Sequence, residues 1–267
     1  MHYIDLHNHI LPAIDDGPRT MEQSVDLARA LVSAGFNTVV ATPHTCEGKP
    51  APAVILKRLN RLQAELDHRS IALKVLPGAE QHIEPYTLEL LREGKILTLN
   101  NTRYLLLELP MFQPLPAYTE KLIYSLTAEG YCPVIPHPER TLDLQSDYSL
   151  IYRLHKAGAI YQVTWGALTG LLGPAVRKTA YTMLEANLCH LFSTDAHDAN
   201  SPLLGINKAA AVLEDYLGPG SAQTLLIKRP RALLADQELD LPVAAKPKKS
   251  AKKKYPLLKM RRSITGH

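Results

Sequence analysis

Two imidazoles separated by a single residue lie near the start of the chain, in Asp5-Leu6-His7-Asn8-His9. In extended backbone, residues i and i+2 point the same way, so His7 and His9 can reach one metal ion together. The pair alone is a common coincidence. It gains weight because other segments repeat the chemistry: Thr42-Pro43-His44, Gly78-Ala79-Glu80, Glu108 within Leu106-Leu107-Glu108-Leu109, Pro136-His137-Pro138-Glu139-Arg140, and Thr194-Asp195-Ala196-His197. Asp16, in Ile14-Asp15-Asp16-Gly17, brings the set to nine candidates: five histidines and four carboxylates, with no cysteine among them. Nitrogen and oxygen donors without thiolates suit Mn²⁺, Zn²⁺, Fe or Mg²⁺. A single four- to six-coordinate ion cannot use so many donors, so two or three divalent ions are expected.

Arg140 follows His137 by three residues and offers a planar, two-pronged donor for phosphate oxygens, which points to a phosphorylated substrate. Without the metal cluster it would read as a surface ion pair. The plainer reading, a surface or hydrogen-bonded core histidine, is kept for His2, His68, His82, His155, His190 and His267. Asp15 and Asp16 could serve only the turn that Gly17 suggests, and Glu139 could be a solvated loop carboxylate.

These donors need a scaffold that brings distant segments to one place. Short apolar or β-branched runs alternate with amphipathic stretches of helical period, the pattern of βα units around a parallel sheet. Seven strands are predicted: Tyr3 to Leu6, Thr38 to Ala41, Leu73 to Leu76, Tyr104 to Leu109, Val134 to Ile135, Ile160 to Val163 and His190 to Ser193. Between them helices are predicted from Thr20, with a capping box to Gln23 and a stop at Gly35, and at 53–68, 85–93, 117–129, 147–157, 174–187 and 203–217. Seven such units point to an α/β barrel or near-barrel. Six of the seven strand ends then offer a ligand to the face where barrels build their active sites.

At 267 residues the chain suits one large domain. Residues 246–262 carry nine Lys or Arg and no acid, which leaves 21 basic against 26 acidic residues elsewhere. The net charge of +4 therefore belongs to a tail, and the body is mildly acidic, as suits a cation-collecting site. Residues 1–240 are expected to form the metallophosphatase domain, and 241–267 a disordered basic tail. Three cysteines, no basic-then-apolar leader and no apolar run of membrane-spanning length suggest a soluble, reduced, cytoplasmic protein. Nothing in the sequence specifies an oligomeric state.

Competing chemistries fail on spacing. A cysteine-dependent phosphatase needs an arginine six residues after its thiolate, but Pro52, Pro138 and Asp195 stand six residues after Cys46, Cys132 and Cys189. No GxxxxGK, GxGxxG or GxSxG is present, so nucleotide-driven and serine-hydrolase chemistry have no starting point.

Taken together, the HxH pair, His44, Gly-Ala-Glu, Glu108, Pro-His-Pro-Glu-Arg and Thr-Asp-Ala-His resemble the polymerase and histidinol phosphatase (PHP) superfamily, over residues 3 to 235. The phrase Ile10 to Pro18 and the stretch Leu99 to Tyr104 look like the bacterial manganese-dependent protein-tyrosine phosphatases of capsule and exopolysaccharide loci. The resemblance implies a distorted seven-stranded (β/α)7 barrel of PHP type and a three-metal site, with Mn²⁺ the first expectation. By similarity, His7, His9, Glu80 and Asp195 would surround one ion, Glu80, Glu108 and His137 a second, and Asp16, His44 and His197 a third. Members of the family can carry a second arginine after the Asp-x-His motif; Asp198-Ala199-Asn200-Ser201-Pro202 has none.

The expected activity is hydrolysis of protein phosphotyrosine, with Arg140 on the phosphate oxygens and His44 or Asp198 assisting the leaving group. The implied partner is an autophosphorylating bacterial tyrosine kinase at the inner membrane, where the basic tail could contact anionic lipid. No nucleic-acid partner is expected. The alternatives are hydrolysis of a phosphodiester or of a small monoester such as histidinol phosphate, or a metal-braced phosphopeptide-binding module without turnover.

Overall fold

A computed structural model describes residues 2–201 and 205–248. The seven expected strands form, each bound within two residues of its prediction: β1 (Tyr3–Asn8), β2 (Phe36–Ala41), β4 (Lys74–Pro77), β6 (Tyr104–Glu108), β7 (Cys132–Pro136), β8 (Ile160–Thr164) and β9 (Leu191–Ser193). Two short strands were not expected, β3 (His44–Thr45) and β5 (Glu80–His82), and each directly follows a predicted one.

All pairings are parallel, and the strands divide into two sheets, β1-β2-β4 and β3-β5-β6-β7-β8-β9. The expected α/β arrangement of parallel strands is present; no closed barrel forms among the described residues. The reason is local. Pro43 interrupts the ladder between β2 and β3, having no amide to donate. Gly78 interrupts it between β4 and β5, where a Cβ would lie 2.7 Å from Val40 Cγ1. The chain thus steps from the first sheet to the second just before His44 and Glu80.

The helices follow the predicted punctuation. Thr20 Oγ1 accepts from Gln23 N at the start of α1 (Met21–Ala34), while the Gln23 side chain accepts from Arg19 N. Gly35 ends that helix in the left-handed region at φ 100°. Pro52 opens α2 (Pro52–His68) at a position where no amide is needed. α3 (Thr87–Arg92), α4 (Thr119–Ala128), α6 (Tyr148–Lys156), α8 (Pro174–Glu185) and α9 (Ile206–Leu217) answer the remaining predictions, of which 203–204 lie outside the described residues, and α5 (Leu142–Ser146) and α7 (Gly166–Thr169) are short additions. Beyond Gly218 the chain adds α10 (Ser221–Gln223), a π-helical turn at Thr224–Lys228 and α11 (Arg229–Leu234). None of these helices is long and apolar enough to cross a membrane.

Strand alternation builds two cores. Ile4, Leu6, Val40, Tyr104, Leu106, Val134, Ile160 and Leu191 face inward and are closed off by Leu99, Leu233 and Leu239. Tyr3, Val39, Leu105, Leu107, Ile135, Tyr161, Val163 and Phe192 face outward under the helices. Leu241 packs on the inner cluster, the Asn187 side chain donates to Val243 O, and Ala245 N donates to Ala186 O. Residues 242–248 have no helix or strand but touch the body; the rest of the expected tail, from 249, lies outside the described residues.

Candidate metal centre

Parallel strands place their C-terminal ends on one face, and the nine predicted donors meet there. A β-bulge aims the first of them. In β1, Asp5 pairs with Val39 and Asn8 with Ala41, so two β1 residues oppose one of β2. Ile4 and Leu6 face inward, and strict alternation would turn His7 outward under the helices; the inserted residue re-aims it. Two donors sit on left-handed backbone, His137 at φ 35° and Asp195 at φ 53°. The structure holds that strain with hydrogen bonds from His137 N to Gln162 O (2.8 Å) and from Asp195 N to His7 O (3.0 Å).

Four overlapping groups have all their ligand atoms within 4.8 Å of one another: His9, Asp16, His44 and His197; His7, Glu80 and His137; His7, His9 and Asp195; His44, Glu80 and Glu108. Glu80 is the hub. Its Oε2 lies 3.1 Å from His7 Nε2, 3.4 Å from His9 Nε2 and 3.0 Å from His44 Nδ1, and its Oε1 lies 2.9 Å from His137 Nε2. Asp195 Oδ1 lies 3.3 Å from His7 Nε2 and 3.4 Å from His9 Nε2. Asp16 Oδ1 reaches His197 Nε2 at 3.2 Å and His44 Nε2 at 3.6 Å from the exposed side. Arg140 Nη1 donates to Asp195 Oδ2 at 2.6 Å, so the predicted phosphate donor borders the cluster.

The electrostatics are those of a cation site. Burial alone would lower the pKa of His7, but the charges of Glu80 and Asp195 outweigh it and push the ring up to about 9. His9 is also raised, against burial, by Asp15, Asp195 and Glu80, and His44 by Glu80. Burial would raise the carboxyls of Glu80 and Asp195, but the imidazoles hold both below the usual range. Protonated rings stand where dications would serve the same carboxylates. Glu80 Oε2 and His137 Nδ1 are buried without a properly aligned hydrogen bond, and His7 Nε2 faces His9 Nε2 at 3.2 Å. An orphaned carboxylate oxygen shared by three ring nitrogens, in an all-nitrogen-and-oxygen donor set, fits divalent cations.

Several partners escaped sequence reading. Asp15 is more than a turn residue: its Oδ2 accepts from His9 Nδ1 at 2.7 Å and turns Nε2 toward the site. Gln162 Oε1 does the same for His7 Nδ1 at 2.9 Å, so β8, the strand whose end lacked a predicted ligand, supplies an orienting residue. Asp5 is buried under Thr194, accepting from its amide (3.0 Å) and hydroxyl (2.6 Å), and so fixes the residue before Asp195. Glu139 is not a solvated loop carboxylate. It is fully buried, accepts from Thr164 N at 2.9 Å, and burial pushes its pKa up to about 7. The only sequence signal for Gln162 is a polar residue at an inward position of an otherwise apolar strand.

The family model for capsular polysaccharide synthesis proteins, CpsB/CapC, matches residues 3–235. Tyrosine-protein phosphatase YwqE of Bacillus subtilis (strain 168) is 38% identical over 238 residues, 88% of this chain and 93% of that protein. The putative tyrosine-protein phosphatase CapC of Staphylococcus aureus is 33% identical over 204 residues, covering 75% of this chain and 80% of the relative. A solved chain from the crystal structures of YwqE from Bacillus subtilis and CpsB from Streptococcus pneumoniae, described as unique metal-dependent tyrosine phosphatases, superposes with a TM-score of 0.87. It shares 36% identity and covers 92% of this chain and all of its own length. The chain therefore belongs to the CpsB/CapC family of capsular polysaccharide synthesis proteins.

Proposed function

We propose that this protein is a metal-dependent protein-tyrosine phosphatase whose substrate is a phosphotyrosine-bearing protein, in the first place a bacterial tyrosine kinase of polysaccharide assembly. The observation that carries the reading is the meeting of five imidazoles and four carboxylates beside Arg140. The activities named for YwqE and CapC support it.

We assign three ion positions: His7, His9, Glu80 and Asp195; Glu80, Glu108 and His137; Asp16, His44 and His197. Mn²⁺ is the first choice, with Fe, Zn²⁺ or Mg²⁺ also compatible with these donors. When bound, such cations supply Lewis acidity and lower the pKa of water into the neutral range. The chain's own part is positioning. Asp15 and Gln162 hold the rings of His9 and His7 with Nε2 inward. Arg140, 29% exposed, borders solvent and would offer its planar guanidinium to the phosphate oxygens. His44 is the most exposed imidazole of the five, at 39%, and would assist departure of the tyrosyl oxygen only while free of the third ion.

Hydrogen bonds between the ends of β1 and β9, His9 N to Ala196 O at 3.0 Å among them, support reading the two sheets as one distorted seven-stranded barrel. We further assign residues 1–240 as the catalytic unit and the basic segment 246–262 as a contact for anionic lipid at the inner membrane face, worth ~1 kcal/mol per basic residue near the surface.

The test is phosphate release from a phosphotyrosyl peptide, histidinol phosphate and single-stranded DNA, with Mn²⁺ and with chelator. Chelator-sensitive release from the peptide is expected. Its absence overturns the proposal, and faster release from histidinol phosphate would move the chain to small-monoester chemistry.

A further inference from the structure

The rim of the metal centre is chemically lopsided. On one side a cleft of about 290 Å³ includes Asp16, Asp26 and Asp198 in its lining, three carboxylates against the one arginine, Arg19. Elsewhere, close in the chain to Glu108 and Arg140, two large apolar side chains are left in solvent, Phe112 at 75% and Leu142 at 48% exposure. Phe112 follows the donor Glu108 by four residues, and Leu142 follows Arg140 by two.

These two positions are tied together. Leu142 N donates to Met111 O at 2.9 Å, and Leu115 N donates to Asp143 Oδ2 at 2.8 Å, which clamps the 110–118 loop to the start of α5. Leu115 and Tyr118 pack on the core, so the loop is anchored while Phe112 is not. Pro110, Pro114 and Pro116 restrict the backbone on both sides of Phe112. An exposed aromatic on a pre-stiffened loop loses little conformational entropy when it is covered, which favours recognition over chance exposure.

Resting on the phosphatase reading above, we propose that Phe112 and Leu142 form the platform that receives the phosphotyrosyl ring and the adjacent peptide backbone. They would thereby select an aryl phosphate on a peptide over a small alkyl phosphate. The phosphate of phosphotyrosine sits at the far end of its ring. A phosphate held at Arg140 therefore leaves the ring and the peptide outside the donor cluster, on the rim. Leu142 follows Arg140 by two residues and its amide is bonded to Met111 O, next to Phe112, which ties the apolar pair to that cation, whereas the cleft at Asp16, Asp26 and Asp198 presents carboxylates that repel an anionic phosphopeptide.

The experiment compares kcat/KM of the full chain for a phosphotyrosyl peptide and for O-phosphoserine, in Mn²⁺. Phe112→Ala, alone and with Leu142→Ser, is expected to lower the peptide-to-phosphoserine ratio about tenfold, with the loss in KM for the peptide. Phe112→Tyr is expected to restore the ratio. Tyr124→Ala, which removes an aromatic 66% exposed on α4, serves as the control for loss of a surface ring. Ratios within twofold of wild type in both Phe112→Ala proteins overturn the platform and leave the phosphatase reading standing. An equal fall in Tyr124→Ala also overturns it. A wild-type protein with no chelator-sensitive peptide hydrolysis overturns the phosphatase reading itself.

Discussion

At the residue scale, the candidate centre depends on side chains that never touch an ion. His7 presents Nε2 to the cluster while Gln162 Oε1 holds its Nδ1 at 2.9 Å. Gln162→Leu removes that acceptor at nearly constant volume. Activity or Mn²⁺ affinity is expected to fall ~10–100-fold, the range typical of lost outer-shell partners. Metal titration followed by calorimetry, beside circular dichroism for the fold, checks this, and an unchanged affinity would remove Gln162 from the site. The sequence identified His7 but not its orienting partner, because the two lie 155 positions apart and glutamine has no spacing signature.

At the element scale, the β8–β9 region stores an acid sensitivity separate from the metal centre. His190 Nδ1 accepts from Tyr161 N at 2.9 Å, and the ring stacks on Tyr161 at 5.9 Å. Burial, reinforced by His155 and Arg229, lowers its pKa to about 3. The ring is thus neutral in the fold, while in the unfolded chain it gains a proton below its ordinary value of 6.5. Between those values the unfolded state binds more protons, so stability falls as pH drops, by up to ~1.4 kcal/mol per unit. His190→Asn keeps a side-chain acceptor but does not titrate. Urea unfolding between pH 7 and pH 4 is expected to show a shallower loss in this variant, and parallel curves would exclude His190 as the source. The sequence marked His190 only as an ordinary histidine, which as a hydrogen-bonded core residue it is; the depth of its burial comes from packing of β8, β9 and the C-terminal helices.

At the scale of the whole molecule, the packed body runs past residue 240, the expected end of the domain. Leu241 packs on the inner cluster, and Val243 and Ala245 make backbone contacts with the end of α8. A chain ending at Asp240 loses these contacts; one ending at Lys248 keeps them. The shorter chain is expected to be less stable than the longer by ~1–2 kcal/mol, from one partly buried leucine and two hydrogen bonds. That is a fall of about 2–8 °C in Tm by the usual scaling. Equal melting temperatures would show that the segment beyond 240 adds nothing to the body.

By itself the sequence determined which atoms are available for chemistry, and much of where they lie. Donor type is a property of single residues, helix caps and β-branched runs are local, and a parallel arrangement carries every strand end to one face. That was enough to bring His7, His9, Asp16, His44, Glu80, Glu108, His137, Asp195, His197 and Arg140 into one neighbourhood. Only the tertiary structure decided how they meet. The bulge that aims His7, the step of the chain between sheets at Pro43 and Gly78, and the burial of Glu139 each depend on what packs against the residue. Those contacts join segments far apart in the chain, and no local pattern encodes them, because close packing couples each side chain to neighbours the sequence does not place beside it.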